Sequence, residues 1–413
     1  MNIKIGIVGA SIAGIATAIE LERLGFNVTV FEKSNRISYT HGAGLMMPLK
    51  LIEELNAHDL LGKSFKYFSM NTFTTFLSSN KNEQKLLTQT SYHDSVTVHW
   101  GNLHSALEEK FNKSSCLYGY NVTSVINHTT YVELIINSKD HYQFDYIIFA
   151  DGYNSLGRAK LFPELKLEVA NYIAWRGLIN VNQINSTKLL GYKYNKDYYR
   201  YLYEKGHLLM FPIPNNNPQL SKDDYIINWV LYENLALCDD NTRGALTRSN
   251  FAPGMMPLSY RKYLHNLAEQ YLPEFPRELI KSTMDPFTQS ISDILLPQYT
   301  IDNICLLGDA STLLRPHVGS NATKALQDAL ALGNFVRQEL SNVEPNLCNA
   351  LLKWSKSQSE KAQHLFPLSR ALGELLVTNM PDLGTLDKER MDNLWDSTIE
   401  KYRWYGNKNA NQF

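Results

Sequence analysis

A glycine-rich turn between a short strand and a helix, close to the start of the chain, constrains the fold more than any other feature of the sequence. The run Ile3–Val8 is rich in β-branched residues, as in a buried parallel strand, and the turn Gly9–Gly14 follows it directly. The helix predicted after this turn ends at Gly25, and a second strand, Asn27–Phe31, leads into Glu32. A strand–helix–strand unit of this kind packs on a parallel sheet, which predicts an α/β fold.

The same turn matches the dinucleotide-binding fingerprint with one substitution. Gly9 allows the tight turn, Gly14 lets the helix approach the sheet, and the helix N-terminus faces a pyrophosphate. Ser11 stands where the fingerprint has its middle glycine, and Glu32 is placed to accept hydrogen bonds from an adenosine ribose. The unit alone does not separate FAD from NAD. The residues predicted to bind the cofactor here are Gly9, Ser11, Ile12, Ala13, Gly14, Glu32 and Lys33.

Acidic residues follow two further predicted strands. Asp151 comes after the buried strand Tyr146–Ala150, and Asp309 comes after the buried strand Ile304–Leu307. Open α/β sheets bind ligands at the carboxyl ends of their strands, so both carboxylates are expected near the cofactor. A single Asp-Gly or Gly-Asp pair is usually only a turn, but three strand-end motifs in this order favour one shared site.

Together these motifs resemble the single-component flavin-dependent aromatic hydroxylases related to p-hydroxybenzoate hydroxylase, over nearly the whole chain. Asp151 and Arg158 match the element that serves both FAD and NAD(P)H in that family, and Gly308 with Asp309 matches the element whose carboxylate holds the ribityl chain. Pro316 matches a proline beside the isoalloxazine ring. The resemblance implies a Rossmann-like FAD-binding domain of the p-hydroxybenzoate hydroxylase type, an interleaved β-sheet substrate domain and C-terminal helices.

The resemblance also implies a reaction. FAD, held without a covalent bond and reduced by NADH or NADPH, would react with O₂ to give a flavin C4a-hydroperoxide, which hydroxylates a small electron-rich aromatic or N-heterocyclic substrate. The helix after Pro316 would point its N-terminus at the flavin and stabilise the negative charge of its reduced form. The FAD-binding residues implied at this end are Gly308, Asp309, Gly319, Ser320 and Asn321.

The sequence departs from the family pattern at several positions. Trp100 stands where the family frequently has an arginine, and Asn321 and Thr323 stand in the stretch where glycine and asparagine are usual. With Ser11, these departures leave open a non-catalytic flavin-binding protein. A flavin reductase or a halogenase on the same scaffold is a further alternative, although the Trp-x-Trp-x-Ile-Pro stretch of the halogenases does not occur in the sequence.

The cofactor motifs lie in separated segments, so the FAD-binding domain is predicted to be discontinuous. We assign residues 1–70, 96–168 and 286–340 to it, residues 71–95 and 169–285 to the substrate domain, and residues 341–413 to a C-terminal helical region. Period-two patterns predict a mixed or antiparallel sheet in the substrate domain, built from Tyr172–Val181, Tyr198–Tyr203, Leu208–Ile213 and Asp224–Leu231, with a loop at 215–218. An apolar stripe at helical spacing covers Phe335–Phe366.

Two histidines are the candidate acid–base groups of the substrate region. The strand pattern predicts a hairpin with Lys205-Gly206 at its turn, so that His207 begins the returning strand. His207 would then hydrogen-bond or deprotonate a substrate, or else would be a turn residue that faces water. His317 follows Pro316 directly and is expected beside the flavin. We predict His207, His317 and Pro316 as the catalytic residues.

Large side chains of the same region fall into two groups. Trp175 and Arg176 are neighbours on one predicted strand, and alternation places them on opposite faces, so at most one of them contacts substrate. Trp229 and Tyr232 fit the hydrophobic core better than a binding site.

Composition excludes several other classes of protein. The 40 basic and 41 acidic residues nearly cancel, which argues against nucleic acid or an anionic membrane as partner. The 11 histidines show no metal-binding spacing, and the four cysteines are too far apart in sequence for a zinc motif. We therefore expect no metal and no membrane span, and a cytoplasmic protein with reduced thiols. The resemblance implies a small aromatic substrate and O₂ as partners, and the sequence leaves the oligomeric state open, with a homodimer as one possibility. An N-terminal signal peptide is not expected, because the apolar start continues into a strand–helix–strand unit.

Overall fold

The structure, a computed structural model, describes residues 2–35, 43–80, 83–91, 94–181, 197–215, 225–247, 250–319 and 321–401. The helices in these residues are α1 (Ile12–Arg23), α2 (Leu49–Ala57), α3 (Trp100–Lys110), α4 (Leu156–Leu161), α5 (Asp240–Thr247), α6 (Leu258–Tyr271), α7 (Glu274–Ser282), α8 (Asn321–Leu340), α9 (Leu347–Gly373) and α10 (Lys388–Lys401). The strands are β1 (Lys4–Val8), β2 (Asn27–Glu32), β3 (Gly44–Pro48), β4 (Phe68–Ser69), β5 (Thr72–Asn80), β6 (Glu83–Ser91), β7 (Ser95–His99), β8 (Cys116–Tyr118), β9 (Val122–Asn127), β10 (Val132–Ile136), β11 (Asp140–Phe144), β12 (Tyr146–Phe149), β13 (Glu168–Asn180), β14 (Tyr198–Tyr203), β15 (Gly206–Pro214), β16 (Tyr225–Asn234), β17 (Phe287–Leu295), β18 (Thr300–Ile301), β19 (Ile304–Leu306) and β20 (Thr312–Leu313).

A six-stranded sheet, ordered β18-β19-β12-β1-β2-β8, forms the first layer of the fold. Its strands pair in parallel except for the edge strand β18, which is antiparallel to β19. The carboxyl ends of β1, β12 and β19 therefore meet at one edge of the sheet. Gly9, Asp151 and Gly308 follow closely after these three strands, so the fold brings the three strand-end motifs together.

Helices α1 and α8 pack against each other beside this sheet. Residues 12 to 21 of α1 are all buried, because the six-stranded sheet, α3 and α8 cover the helix. A Cβ atom at Gly333 of α8 would lie 2.4 Å from the Glu20 carboxylate of α1, so a glycine at this position allows the two helices their close approach. Burial of one isoleucine such as Ile15 contributes roughly 1.5–3 kcal/mol to stability.

An eight-stranded sheet, ordered β20-β17-β13-β16-β15-β14-β5-β6, forms the second layer. The sheet is mixed, because β14 and β5 are parallel and its other neighbouring strands are antiparallel. Trp175 and Trp229 point to one face, where they join a hydrophobic cluster with residues of α6 and α7. The opposite face carries the residues that line the cavity described below.

The C-terminal segment closes over this second face. Helix α9 ends at Gly373 and continues as a π-helical turn, Glu374–Thr378, that packs on β15 and β16. Leu376 and Val377 of this turn join a hydrophobic cluster with Tyr172 and residues of α10.

These observations confirm the predicted fold class, an α/β Rossmann-like domain with a sheet domain and C-terminal helices.

The predicted position of the hairpin turn is wrong by one residue. Glu204 and Lys205 form the turn, and Gly206 of β15 already pairs with Tyr203 of β14. The stripe Phe335–Phe366 covers two helices, α8 and α9, with residues 341–346 between them. Most of the loop predicted at 215–218, and Asp224 at the start of its predicted strand, lie outside the described residues.

The predicted domain boundaries stay a prediction. Strand β17 lies in the segment 286–340 that we assigned to the FAD-binding domain, yet it pairs with β13 in the eight-stranded sheet. Within the part of the chain that the structure describes, no helix is both long enough and apolar enough to cross a bilayer.

Candidate functional site

A cavity of about 490 Å³ lies between the two sheets and reaches from the first turn of α1 to the C-terminal helix α10. Its nucleotide side is lined by Ser11, Ile12, Ala13, Ala150, Gly152 and Asp309, and by Pro316, His317, Gly319 and Asn321. Its sheet side is lined by Phe73, Arg176, Tyr198, Arg200, His207, Leu209, Phe211, Val230, Tyr232 and Gln289, and by Leu376, Met391, Asp392 and Trp395 of the C-terminal segment. One continuous space thus joins the predicted cofactor residues to the predicted substrate residues.

The turn before α1 has the shape that the dinucleotide fingerprint requires. Gly9 has a φ of +103°, a conformation that a residue with a side chain rarely adopts. A Cβ atom at Gly14 would lie 1.9 Å from the Gly9 carbonyl oxygen, so no other residue fits at this position. Ser11 precedes the first residue of α1, and its side chain makes no capping hydrogen bond. The amide groups at the start of α1 therefore remain available for an anionic group.

Side chains from two other elements hold this turn in place. Glu32, at the end of β2, accepts hydrogen bonds from the Ala10 N–H at 3.0 Å and from the Ser34 N–H at 2.9 Å. The Nε2 atom of His104 lies 2.8 Å from the Ala10 carbonyl oxygen, which can only accept. Lys33 follows Glu32 and is exposed. The ring of Trp100, which lines the cavity, is stacked on His104.

A buried ion pair between Lys324 and Asp328 fixes the turn that carries Asp309. Lys324 donates to the Asp328 carboxylate at 2.6 Å and to the Ser311 hydroxyl at 3.2 Å, and Asp328 accepts the Gly308 N–H at 3.2 Å. Burial raises the pKa of Asp309 to about 6, although Lys324 and Arg158 act to lower it. A carboxylate in this state favours ligands that donate hydrogen bonds, because each donated bond stabilises its ionised form.

Asp151 and Arg158 do not line the cavity, although the sequence predicted both to bind cofactor. Asp151 accepts the Leu156 N–H at 2.7 Å and so fixes the start of α4. Arg158 donates to the backbone oxygens of Asp309 at 3.0 Å and Ala310 at 3.2 Å. Arg158 thus positions the Asp309 turn, whereas Asp151 fixes α4 through one carboxylate oxygen and has no hydrogen-bond partner among the described residues for the other.

The loop after Pro316 brings three predicted residues to the cavity. Gly319 has a φ of +61°, in the left-handed region that favours glycine. The Asn321 amide accepts the Leu314 N–H at 3.2 Å and donates to the Leu314 oxygen at 2.9 Å, so its side chain closes the loop. His317 and Pro316 line the cavity directly. Ser320 lies outside the described residues.

The floor of the cavity is a row of residues across four neighbouring strands. Backbone pairing aligns Arg176 of β13, Val230 of β16, Leu209 of β15 and Arg200 of β14. Two aliphatic side chains thus lie between two arginines. The Arg200 guanidinium lies 4.6 Å from the centre of the Phe73 ring, as in a cation–π contact.

Arg176 has unused hydrogen-bond donor capacity. It donates to the Gln289 amide oxygen at 2.8 Å, and its buried Nε atom has no hydrogen-bond partner among the described residues. Buried donors in native proteins are nearly always paired. This end of the cavity therefore suits a ligand with hydrogen-bond acceptors.

His207 and His317 meet in the next row of the sheet face, against Tyr232. The centre of the Tyr232 ring lies 4.7 Å from the centre of each imidazole ring. Burial lowers the pKa of His207 well below its ordinary value, and His317 and Arg200 lower it further. Burial likewise lowers the pKa of His317 to about 3, with Arg200 and Arg315 adding to the effect. Both rings are therefore neutral at neutral pH.

The structure decides between the alternatives for the aromatic and histidine side chains. His207 is completely buried and lines the cavity, so it is not a turn residue facing water. Arg176 lines the cavity and Trp175 lies in the core on the other face, as alternation predicted. Trp229 is a core residue as expected. Tyr232 is buried in a hydrophobic cluster as expected, and its place on the same face as His207 makes it part of the cavity wall as well.

Several cavity residues were missed in the sequence, among them one arginine and two aromatic residues. Arg200 lies in an aromatic strand, where an arginine on the same face as Tyr198 was a usable signal. Trp395 lies far along the chain in α10, and no local pattern connects it with the sheet. Phe73 lies on β5, whose parallel pairing with β14 is not visible in the sequence.

Comparisons with known proteins agree with this architecture. A family model described as an NAD(P)-binding Rossmann-like domain matches residues 7–44, and one described as FAD binding domain-like matches residues 169–293. The chain is 25% identical to 2,6-dihydroxypyridine 3-monooxygenase of Paenarthrobacter nicotinovorans, over 87% of each chain.

Two solved structures share the fold over nearly their full length. The structure of 2,6-dihydroxypyridine-3-hydroxylase from Arthrobacter nicotinovorans superposes with a TM-score of 0.80 at 19% identity, covering 92% of this chain and 94% of that one. Klebsiella pneumoniae HpxO, solved with FAD and uric acid, superposes with a TM-score of 0.72 at 17% identity, covering 96% and 97%. The nucleotide turn and the eight-stranded sheet share one cavity, and the sequence and fold both match hydroxylases along most of the chain. The chain therefore resembles the FAD-dependent aromatic hydroxylases and has the fold of a flavoprotein monooxygenase.

Proposed function

We propose that this protein uses NADH or NADPH and O₂ to add one hydroxyl group to a small, electron-rich aromatic or N-heterocyclic compound. The observation that carries the proposal is the single cavity that joins the first turn of α1 and Asp309 to Arg176, His207 and Tyr232. A cofactor held at one end of this space and a substrate held at the other would share one site.

The residues at the nucleotide end fit FAD. The Gly9–Gly14 turn leaves amide groups free for a pyrophosphate, and Glu32 lies beside it at the end of β2, where a ribose would bind. Asp309 lines the cavity and would accept hydrogen bonds from the ribityl hydroxyls. When bound, the flavin supplies the redox chemistry that the side chains of this chain lack.

Residues of the sheet would hold and activate the substrate. Val230 and Leu209 offer an apolar surface for a flat ring, and Arg176 offers a donor at its edge. His207, neutral at neutral pH, is placed to accept a proton from a substrate hydroxyl, which makes the ring more electron-rich. Trp395 and Leu376 cover the cavity from the C-terminal side and would exclude water.

Hydroxylated N-heterocycles are the substrates we place first. One relative is named for 2,6-dihydroxypyridine, and one solved structure of the same fold contains uric acid. Both compounds are small, flat and rich in hydrogen-bonding groups. These groups would pair with the two arginines and two histidines that line the cavity.

A screen of hydroxylated pyridines, phenols and purines tests the proposal. The measurements are the rate of NADH and NADPH oxidation with and without each compound, and the mass of the product. We expect at least one compound to accelerate oxidation and to gain one oxygen atom. An enzyme that oxidises NAD(P)H at the same slow rate with every compound, and leaves every compound unchanged, would contradict the proposal.

We further propose that the enzyme works in the cytoplasm as a homodimer. The cysteines of the described residues are unpaired, and Cys116 and Cys305 are buried, which fits a reducing compartment. The mass of the protein in solution tests the dimer, which should have twice the mass of one chain.

A further inference from the structure

The most unusual polar feature of the cavity is a pair of buried histidines, each with one hydrogen-bonded ring nitrogen and one that has no partner. The His207 Nδ1 atom lies 3.2 Å from the Leu376 carbonyl oxygen, and the His317 Nε2 atom lies 3.0 Å from the Tyr172 hydroxyl. The buried atoms His207 Nε2 and His317 Nδ1 have no hydrogen-bond partner among the described residues. The ring centres are 5.4 Å apart.

The Leu376 carbonyl determines the tautomer of His207. A carbonyl oxygen can only accept, so the neutral ring must carry its hydrogen on Nδ1 and donate it. Leu376 lies in the π-helical turn Glu374–Thr378, at the end of a long helix, where carbonyl groups need outside donors. Asn234 serves the next carbonyl of the same turn, Val377, at 3.3 Å. His207 therefore presents a bare lone pair on Nε2.

The Tyr172 hydroxyl determines the tautomer of His317. Burial raises the pKa of Tyr172, so the phenol keeps its hydrogen and needs an acceptor. Its hydroxyl lies within hydrogen-bond distance of the His317 Nε2 atom, and Arg315, beside its ring, has only donors. Tyr172 therefore donates to Nε2, and the neutral His317 ring carries its own hydrogen on Nδ1.

A glycine makes room for this second contact. A Cβ atom at Gly373, the last residue of α9, would lie 2.7 Å from the Tyr172 hydroxyl and 3.3 Å from His317 Nε2. The end of α9 thus leaves room for the contact between Tyr172 and His317, and the turn that follows it hydrogen-bonds His207.

We propose that Tyr172 and the Leu376 carbonyl hold the two histidines in the same tautomer, so that His207 offers an acceptor and His317 offers a donor to one substrate hydroxyl. A hydroxyl both donates and accepts, and it would satisfy both unpartnered nitrogens at once. Tyr172 does not line the cavity, so it is a positioning residue that acts through His317. The inference rests on the proposed function and adds a chemical requirement, a ring that carries a free hydroxyl group.

Nitrogen NMR of the holoenzyme with ¹⁵N-labelled histidine tests the tautomers directly, without substrate or NAD(P)H. We expect both rings to show a protonated Nδ1 and a bare Nε2, assigned with His207→Gln and His317→Gln variants. In Tyr172→Phe, only His317 should change, and Gly373→Ala should reproduce that change by displacing the hydroxyl. A protonated Nε2 on either ring of the parent protein, or a His317 spectrum that Tyr172→Phe leaves unaltered, would overturn the inference.

Binding of matched probes, followed by the flavin absorbance of the holoenzyme, tests the hydroxyl requirement. The pairs are phenol with anisole and resorcinol with 1,3-dimethoxybenzene, in which methylation removes the donor and keeps an oxygen acceptor. We expect the hydroxyl form to bind roughly tenfold tighter or better, and the preference to shrink in His207→Gln. Equal affinities within both pairs, or no binding of either hydroxyl probe, would overturn the ligand assignment. Since no turnover is involved, a failure to hydroxylate would count against the proposed function and not against this inference.

Discussion

At the scale of single residues, the site combines a carboxylate whose charge is disfavoured by burial with polar atoms that have no hydrogen-bond partner among the described residues. The carboxylate is Asp309: burial raises its pKa to about 6, although Lys324 and Arg158 act to lower it. The sequence could predict Asp309, because a carboxylate at a strand end is a local pattern. It could not predict that Arg158 serves the Asp309 turn, because that contact joins residues 151 positions apart.

The Asp309 carboxylate should contribute to FAD affinity, and the contribution should depend on pH. Asp309→Ala should weaken FAD binding by about 1–3 kcal/mol, since ribityl hydroxyls would lose their acceptor. Donors on the ligand lower the carboxylate pKa from about 6, so affinity should be fully present above that value and should fall as the pH drops through the lower pKa of the complex. Fluorescence titration of the apoprotein with FAD between pH 5 and 8 measures this. Asp309→Asn should have weaker binding without that pH dependence, and an unchanged affinity in Asp309→Ala would refute the assignment.

His207 should control how efficiently NAD(P)H oxidation leads to product. His207→Ala should retain FAD, bind substrate more weakly and release more hydrogen peroxide. The reason is that the substrate ring is then poorly placed and its hydroxyl keeps its proton. The measurement is the ratio of hydroxylated product to NAD(P)H consumed. His141→Ala, at an exposed position on β11, is the matched control and should behave like the parent. If His207→Ala keeps the parent's ratio of product to NAD(P)H, a group other than His207 must activate the substrate.

At the scale of elements, the strand–turn–helix unit is the part of the fold that the sequence describes best. Its β-branched run, its glycines and its second strand are all local, and the structure has β1, α1 and β2 where they were predicted. The eight-stranded sheet was predicted only as a mixed or antiparallel sheet. The pairing of β14 with β5 joins segments more than a hundred residues apart, and nothing in either strand specifies the other.

The tight turn should tolerate no side chain at Gly14. In Gly14→Ala the new Cβ would collide with the Gly9 carbonyl oxygen, so the turn must open and the protein should purify without its flavin. Gly244→Ala in α5 is the control, because a Cβ there meets no atom within 4 Å. Flavin absorbance per protein chain measures the outcome. Full flavin occupancy in Gly14→Ala would show that the fingerprint turn is not the cofactor cradle.

At the scale of the whole molecule, the cavity is a product of long-range assembly. The Rossmann-like sheet provides one wall, the eight-stranded sheet provides the floor, and α10 covers the opening with Trp395. Such a site has no compact sequence signature, which is why the cofactor end was predicted in detail and the substrate end only in part.

The contact of Trp395 in α10 with Arg200 should affect how much of the NAD(P)H oxidation yields product, more than it affects FAD binding. Trp395→Ala would remove the ring that lies 5.1 Å from the Arg200 guanidinium and would admit water. We expect unchanged flavin content and a larger share of NAD(P)H lost to hydrogen peroxide. Leu352→Ala, at a half-exposed position on α9, is the control for loss of an apolar surface side chain. Equal coupling in both variants would mean that α10 does not close the site.

The central claim is that oxygen from O₂ enters an aromatic ring bound in this cavity. The most direct measurement is the mass of the product formed under ¹⁸O₂ by the holoenzyme with NAD(P)H and the best compound of the screen. The account predicts a gain of one ¹⁸O atom per product molecule, and a much lower yield in His207→Ala. A product that takes its new oxygen from water, or NAD(P)H oxidation that yields only hydrogen peroxide with every compound, would contradict it.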